Sequence, residues 1–106
     1  MAEVEARQPL TVDVAEEGDA VVVRLAGELD VANASQAREA IDPALTEETR
    51  RAVFDLGDLT FMDSSGLAVL LVIAQRVRVE LRRPSAVIRQ VIEMTGLAEA
   101  LPITEP

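Results

Sequence analysis

The hydrophobic and polar positions of the chain follow two periods, one typical of strands and one typical of helices. Residues 10–14 alternate and residues 20–25 form a β-branched run. With the acidic turn signal between them, they predict a β-hairpin. Residues 51–56 predict another short strand, residues 57–62 a loop, and residues 77–82 a further strand. The strands are therefore expected to be short and separated by helical segments.

Three other segments have helical spacing. In the first segment the apolar positions are Ala34, Ala37, Ile41 and Leu45. Pro43 is expected to end or kink this helix. The second helix is predicted over residues 64–76, directly after Asp63, a residue type that caps helices. The third opens at residues 84–85, and its predicted apolar stripe consists of Val87, Ile88, Val91 and Ile92.

The end of the chain predicts a helix stop and a returning tail. Gly96 suits the position after a helix, with Leu97 as its hydrophobic contact, and Leu101 and Ile103 are expected to pack back on the domain. The mixed order of strands and helices predicts an α/β fold, with a mixed β-sheet of about four to five strands packed with helices. Residues 1–8 are expected to form a flexible arm, and residues 9–106 a single domain.

The joint between the second helix and the next strand is unusually short. Residues 75–80 pass from helix to strand without Gly, Pro, Asn or Asp, although a helix packed on a sheet must reverse direction before it re-enters the sheet. Either the turn is very tight, or loop residues are missing here. We expect the second, with the chain interrupted near Val77 and Arg78.

Composition excludes several classes of protein. With no Cys and no His, the chain has no disulfide, no thiolate metal site and no Ser-His-Asp triad. No catalytic residue and no metal ligand set is predicted. The net charge of −9 disfavours nucleic acid and anionic membranes as partners. The apolar run at residues 66–74 is far shorter than the roughly 20 residues that span a bilayer. Residues 1–5 are acidic and unlike a signal peptide, so a soluble cytoplasmic domain is expected.

The chemistry of the chain concentrates at residues 63–66, D-S-S-G. The first turn of a helix has unpaired N–H groups and a positive dipole end, which would tolerate a phosphate on Ser64. Asp63, Asp30 and Asp58 would add negative charge nearby, so a phosphate would change the local field strongly. The same four residues are also an ordinary helix N-cap, and that alone requires no phosphate.

The helix after these serines is apolar on both sides. One face, with Leu67, Leu70, Leu71 and Ala74, can cover a sheet. The other face starts beside Ser65 and is interpreted as a docking surface for a partner; it consists of Ala68, Val69, Val72 and Arg76. Val69 and Val72 are expected to be largely exposed in the monomer. Alternatively, a homodimer contact or the N-terminal arm covers them.

Three motifs in register resemble one known family. Residues 55–67, D-L-G-D-L-T-F-M-D-S-S-G-L, resemble the signature of the STAS domain, in particular of anti-sigma-factor antagonists. Residues 27–30, G-E-L-D, resemble the segment before the first helix of that family. Residues 84–87, P-S-A-V, and 93–97, E-M-T-G-L, resemble its C-terminal helix and cap. The resemblance covers residues 10–103 and implies a STAS-like fold.

The resemblance also implies a function. Such proteins bind an anti-sigma factor that is also a serine kinase, and so release a sigma factor. The kinase phosphorylates the serine that corresponds to Ser64, which ends binding, and a serine phosphatase restores it. The antagonist itself performs no catalysis and needs no cofactor, and a monomer or weak homodimer is expected. By position, Asp30 and Asp63 flank the phosphosite; its shell is Thr60, Met62, Ser65, Gly66 and Leu67.

Two other roles within the family stay open. STAS domains also serve as accessory subunits of lipid-transport ATPases and as scaffolds in stress-sensing assemblies, and in both the apolar helix face would act as an adhesive surface. The chain also departs from the family at residues 75–80, where family members usually carry several more residues. Its outer helix face is also more aliphatic than is usual in the family.

Overall fold

The computed structural model describes residues 8–104 of the 106-residue chain. Its elements are β1 (Thr11–Glu17), β2 (Ala20–Leu29), α1 (Ala34–Ile41) with a following 3-10 turn (Asp42–Ala44), β3 (Arg51–Met62), α2 (Ser64–Ala74), β4 (Arg78–Arg82) and α3 (Ala86–Met94). Within the described range no helix has both the length and the apolar character needed to cross a bilayer.

The four strands form one mixed sheet in the order β1-β2-β3-β4. β1 and β2 are the predicted antiparallel hairpin, and Gly18 at its turn has a φ of 64°, which glycine adopts without a steric penalty. β2, β3 and β4 run parallel, and α1 and α2 make the connections between them. The tail pairs with the β4 edge, where Leu81 and Ile103 form a bridge. The α/β fold with a mixed sheet is therefore confirmed.

The helices pack on one face of this sheet. Val23, Phe54 and Leu81 are cross-strand neighbours on that face, and all are fully buried. They belong to one hydrophobic cluster with residues from all three helices, including Ile41, Ile73 and Ile92. The opposite face carries the alternate side chains and is open to solvent, as is common when helices cover one side only.

The strand β3 is longer than the sequence predicted. The expected loop at residues 57–62 is wrong, because the strand continues to Met62 beside the second half of β2. Leu59 pairs with Gly27 and Met62 with Leu29, with two register irregularities along the way. Gly57 and Asp58 are poor strand formers, so their own propensities do not predict a strand here. Pairing with the neighbouring strand supplies the hydrogen bonds that extend β3 through them.

The joint between α2 and β4 is continuous, and the expected interruption near Val77 and Arg78 is wrong. The carbonyl oxygen of Ile73 accepts from the N–H of Arg76 at 2.9 Å and of Val77 at 3.1 Å. Arg78 then donates to the Arg50 carbonyl at 3.3 Å, which starts β4. No residue of this turn has a positive φ, so the reversal needs no glycine.

The helix α3 buries a narrower stripe than predicted. Ile88 and Ile92 are buried, but Val87 is 70% exposed and Val91 lies at the surface. Two buried residues one turn apart are enough to pack this helix, because only one edge of it contacts the core.

The predicted stop after α3 is confirmed. Gly96 has a φ of 75°, and Leu97 donates to the Ile92 carbonyl at 3.2 Å. With the bond from Gly96 to the Glu93 carbonyl at 3.3 Å, this is a Schellman motif. Beyond it Leu101 is buried and Ile103 packs against the core, so the tail returns as expected.

Candidate functional site

The parallel strands β2 and β3 end side by side, which brings two loops to one end of the sheet. Leu29 and Met62 are the last paired residues, and the Asp63 N–H donates to the Leu29 carbonyl at 3.2 Å. The loop that begins at Asp30 and the start of α2 at Ser64 therefore leave the sheet together. This shared edge explains how two motifs more than 30 residues apart in the sequence form one site.

Asp63 is the N-cap of α2, as predicted. Its Oδ1 atom accepts from the N–H groups of Ser65 at 2.8 Å and Gly66 at 3.2 Å. These donors are among the four at a helix start that have no partner within the helix. The carboxylate of Asp63 therefore already occupies much of the anion-binding capacity of this helix end.

Gly66 lies where α2 approaches the ends of both strands. A Cβ atom built there would stand 2.6 Å from the Met62 Cγ and 2.8 Å from the Leu29 Cγ. A side chain here would displace Met62 and Leu29, so packing favours the glycine of D-S-S-G. The neighbouring Met62 and Leu67, on either side of the serines in the sequence, are buried.

Ser64 is the first residue of α2 and its side chain is exposed. In the part of the chain that the structure describes, the Ser64 hydroxyl makes no hydrogen bond. Ser65 differs, since it is only partly exposed and its N–H is bound to Asp63. Of the two serines, Ser64 is the more exposed.

Asp30 builds the corner of the adjacent loop. Its side chain is buried, and its Oδ1 accepts from the Ala32 N–H at 2.9 Å. The Asp30 N–H in turn donates to the Asn33 Oδ1 at 2.9 Å, and the Asn33 amide donates to the Glu28 carbonyl at 2.9 Å. The resemblance implies that Asp30 flanks the phosphosite; in the structure its carboxylate is bound to backbone rather than presented at the surface.

Thr60 ties the first described residues to this end of the sheet. Its Oγ1 lies 3.0 Å from the Gln8 Oε1 and 3.0 Å from the Gly27 carbonyl oxygen. Gly27 has a φ of 95°, and a Cβ there would overlap the Pro9 carbonyl oxygen. Thr60 therefore links the segment at Gln8 to β2 at Gly27. The predicted arm at residues 1–8 lies, apart from Gln8, outside the described residues.

The predicted docking face on α2 needs a correction. Val69 is 4% exposed and lies in the core, Val72 is half-buried, and Ala68 and Arg76 are exposed. Arg76 contacts Asp42 at 3.3 Å, so it is paired with the 3-10 turn that follows α1. The helix is turned relative to the prediction: Ile73 and Leu70 face the sheet, and the outward stripe is Ser64, Ala68, Leu71, Val72 and Gln75. A helix that is apolar all round does not reveal its buried face by periodicity.

The sequence missed two apolar residues beside the site. Val31 is 76% exposed in the loop after Asp30, and Phe61 is 46% exposed near the end of β3. The irregular register near Glu28 turns Phe61 outward, although strict alternation from the buried Leu59 would place it inward. Exposed large apolar side chains next to an accessible serine indicate a surface that another protein can cover.

These features define an α/β domain with an exposed serine at a capped helix start. A family model described as the STAS domain matches residues 11–105, and the chain belongs to the STAS domain family. The anti-sigma F factor antagonist of Lysinibacillus sphaericus is 36% identical over 85 residues, which are 74% of this chain and 73% of that protein. BtrV of Bordetella bronchiseptica is 30% identical over 88 residues, 78% of this chain and 76% of that protein.

Solved structures have the same fold. An anti-sigma factor antagonist from Mycobacterium paratuberculosis gives a TM-score of 0.81 at 24% identity, over 94% of this chain and 89% of that one. SpoIIAA, an anti-sigma factor antagonist, gives 0.72 in its unphosphorylated form at 29% identity, over 89% and 88% of the two chains. Its phosphorylated form gives 0.66 at 29% identity, over 89% and 91%.

Proposed function

We propose that this chain is an anti-sigma factor antagonist whose binding is switched by phosphorylation of Ser64. In the unphosphorylated state it binds an anti-sigma factor that is also a serine kinase, and so releases a sigma factor. Phosphorylation ends binding, and a serine phosphatase reverses it. The observation that carries this proposal is the exposed Ser64 hydroxyl at the first position of α2, at the same end of the sheet as the exposed apolar side chains of Val31 and Phe61.

The local electrostatics support a switch. A phosphate adds about −1.5 to −2 charges. The N–H groups of Ser65 and Gly66 already bind Asp63, so they are not available to neutralise it. The added charge would therefore face solvent or a partner. Burying it against a partner without a compensating cation costs free energy, so a docked complex dissociates.

The surface around Ser64 has the character of a protein contact. Val31 and Phe61 are exposed apolar side chains at this end of the sheet, and Ala68 lies one helical turn after Ser64. We propose that these residues and Val72 contact the partner, with Arg76 at the rim. Val69 is omitted because it is buried. Phe61 is the only exposed aromatic residue in the described range, and aromatic residues often dominate binding energies.

The relatives support the same function. The Lysinibacillus sphaericus protein is named an anti-sigma F factor antagonist, and SpoIIAA is solved in both an unphosphorylated and a phosphorylated form. The structural alignment with SpoIIAA covers nearly nine tenths of each chain. A role outside catalysis also agrees with the absence of His and Cys from the sequence.

The test is a pair of substitutions at Ser64 with a matched control. Ser64→Asp should reduce affinity for the cognate anti-sigma factor by about tenfold or more, since a charge is buried at the contact. Ser64→Ala should bind as well as wild type and stay bound when ATP is added. Ser35, an exposed serine in the first turn of α1, provides the control Ser35→Asp, which should leave binding unchanged.

Calorimetry with purified partner measures these affinities, and mass spectrometry after incubation with kinase and ATP locates the phosphate. Phosphate on Ser65 instead of Ser64, or equal affinities for Ser64→Asp and wild type, would overturn the proposal.

A further inference from the structure

The open face of the sheet has a charge pattern that the proposed function does not use. Its side chains form three cross-strand rows from β1 to β4. The first row is Asp13, Arg24, Asp55 and Arg82; the second is Ala15, Val22, Val53 and Glu80; the third is Glu17, Ala20, Arg51 and Arg78. Acidic residues thus stand at both ends of the β1 edge, and arginines at both ends of the β4 edge, with Glu80 between them.

The charges in the middle of the face are paired within the chain. The Arg83 Nη2 lies 2.9 Å from the Asp55 Oδ1, and Arg24 approaches the same carboxylate at 3.8 Å. Arg51 pairs with Glu80 at 3.1 Å. These interactions leave the centre of the face nearly neutral. Val53, in the middle row, is 1% exposed although the helices pack on the other face of the sheet.

The charges at the two sides are not paired in this way. Asp13 and Glu17 on β1 are exposed, as are Arg78 and Arg82 on β4, and in residues 8–104 none of the four forms an ion pair. The face is therefore acidic along one edge and basic along the other. A shallow depression lined by Asp13, Ala15, Val22 and Arg24 lies between the acidic edge and the centre.

We propose that this open face binds the open face of a second copy of the chain, about a twofold axis parallel to the strands. Such an axis lays β1 of one copy over β4 of the other and keeps each row over its own counterpart. Asp13 then faces Arg82 of the second copy, and Glu17 faces Arg78. In none of the three rows do like charges face each other, so the charge pattern is complementary to itself.

The size of the surface predicts a weak dimer. Three rows across four strands cover about 20 by 20 Å, or about 400 Å² on each copy. A standard stable interface buries about 800 Å² on each partner. Two chains of net charge −9 also repel each other at long range, although salt screens this beyond about 8–10 Å. The complementary edges act within that distance, and two sheets pack about 10 Å apart.

The experiment is a charge exchange followed by sedimentation velocity. Wild type should dimerise reversibly between about 1 μM and 1 mM, the range expected for a small interface. R78E/R82E makes both edges acidic, and D13R/E17R makes both edges basic, so each should remain monomeric. A mixture of the two should form a heterodimer, and the variant with all four changes should dimerise again. Circular dichroism confirms that each variant is folded.

The matched control is R38E/R76E, which changes the net charge equally but on the helix side, where both arginines contact Asp42. It should dimerise within about twofold of wild type, because neither residue lies at the face. A wild-type monomer at every concentration, a mixture that stays monomeric, or an equal loss in R38E/R76E would each overturn the proposal. If the wild type is a monomer at every concentration, the open face does not bind a second copy, and its partner would have to be a different protein.

This proposal is independent of the Ser64 switch. Asp55 precedes Met62 by seven residues on β3, which is about 23 Å along a strand. Ser64→Asp should therefore leave dimerisation unchanged. R78E/R82E should still bind the anti-sigma factor, so failure of one proposal is distinguishable from failure of the other.

Discussion

The Ser64 end of the sheet and its open face handle charge in opposite ways. At the Ser64 end the carboxylates of Asp30 and Asp63 bind backbone N–H groups, and Ser64, Val31 and Phe61 are exposed beside them. In the middle of the open face, carboxylates and arginines bind one another through their side chains. We expect a surface whose carboxylates bind backbone to respond strongly to one added charge, whereas the paired centre of the open face should respond less to a single addition.

The two phenylalanines give the largest expected contrast between packing and surface. Phe54 is fully buried under the helices, and Phe61 is 46% exposed at the Ser64 end. Phe54→Ala should lower the free energy of unfolding by about 3–5 kcal/mol. Phe61→Ala should lower it by less than about 1 kcal/mol and instead weaken binding to the anti-sigma factor. Urea denaturation and calorimetry measure the two effects; equal losses of stability would remove the distinction.

The close approach at Gly66 gives an intermediate effect. Gly66→Ala should destabilise the protein by about 1–3 kcal/mol, because the new methyl group displaces Met62 and Leu29 from their packed positions. Ala68→Gly on the same helix is the companion variant; Ala68 is exposed, and only helix propensity should change, by about 1 kcal/mol. Thermal unfolding compares the two. A stabilised Gly66→Ala variant would show that the start of α2 can shift to make room for the methyl group.

The smallest effect concerns pH and the paired charges of the open face. Burial raises the pKa of Asp55, but the hydrogen bonds from Arg83 and the Gly57 N–H, with the charges of Arg83 and Arg24, lower it overall. A carboxyl group whose pKa is lowered by folding stabilises the fold above its unfolded pKa, and this contribution is lost as the pH falls through the folded pKa.

The stability difference between wild type and Asp55→Asn should therefore be constant from neutral pH to about pH 5 and shrink towards pH 3. Urea denaturation across this range measures it. Glu39→Gln, at an exposed carboxylate of α1, is the control and should show little difference at any pH. A difference for Asp55→Asn that grows as the solution becomes acidic would contradict the assignment of the ion pair as stabilising.

Several parts of the fold were predictable because their causes are local. The cap at Asp63 and the stop at Gly96 depend on hydrogen bonds between residues at most five positions apart. The hairpin of β1 and β2 depends on alternation and on one turn. The position of Ser64 at a helix start follows from the same local rules.

Tertiary structure alone decided which surfaces are covered. Val69 is in the core and Val87 is outside, because the orientation of a helix depends on what lies across from it. The length of β3 and the outward turn of Phe61 depend on pairing with β2, more than 30 residues earlier. The sequence by itself therefore determined where each helix and turn begins, through short-range hydrogen bonds and sterics. Burial and charge complementarity between distant strands were fixed only when those strands came together.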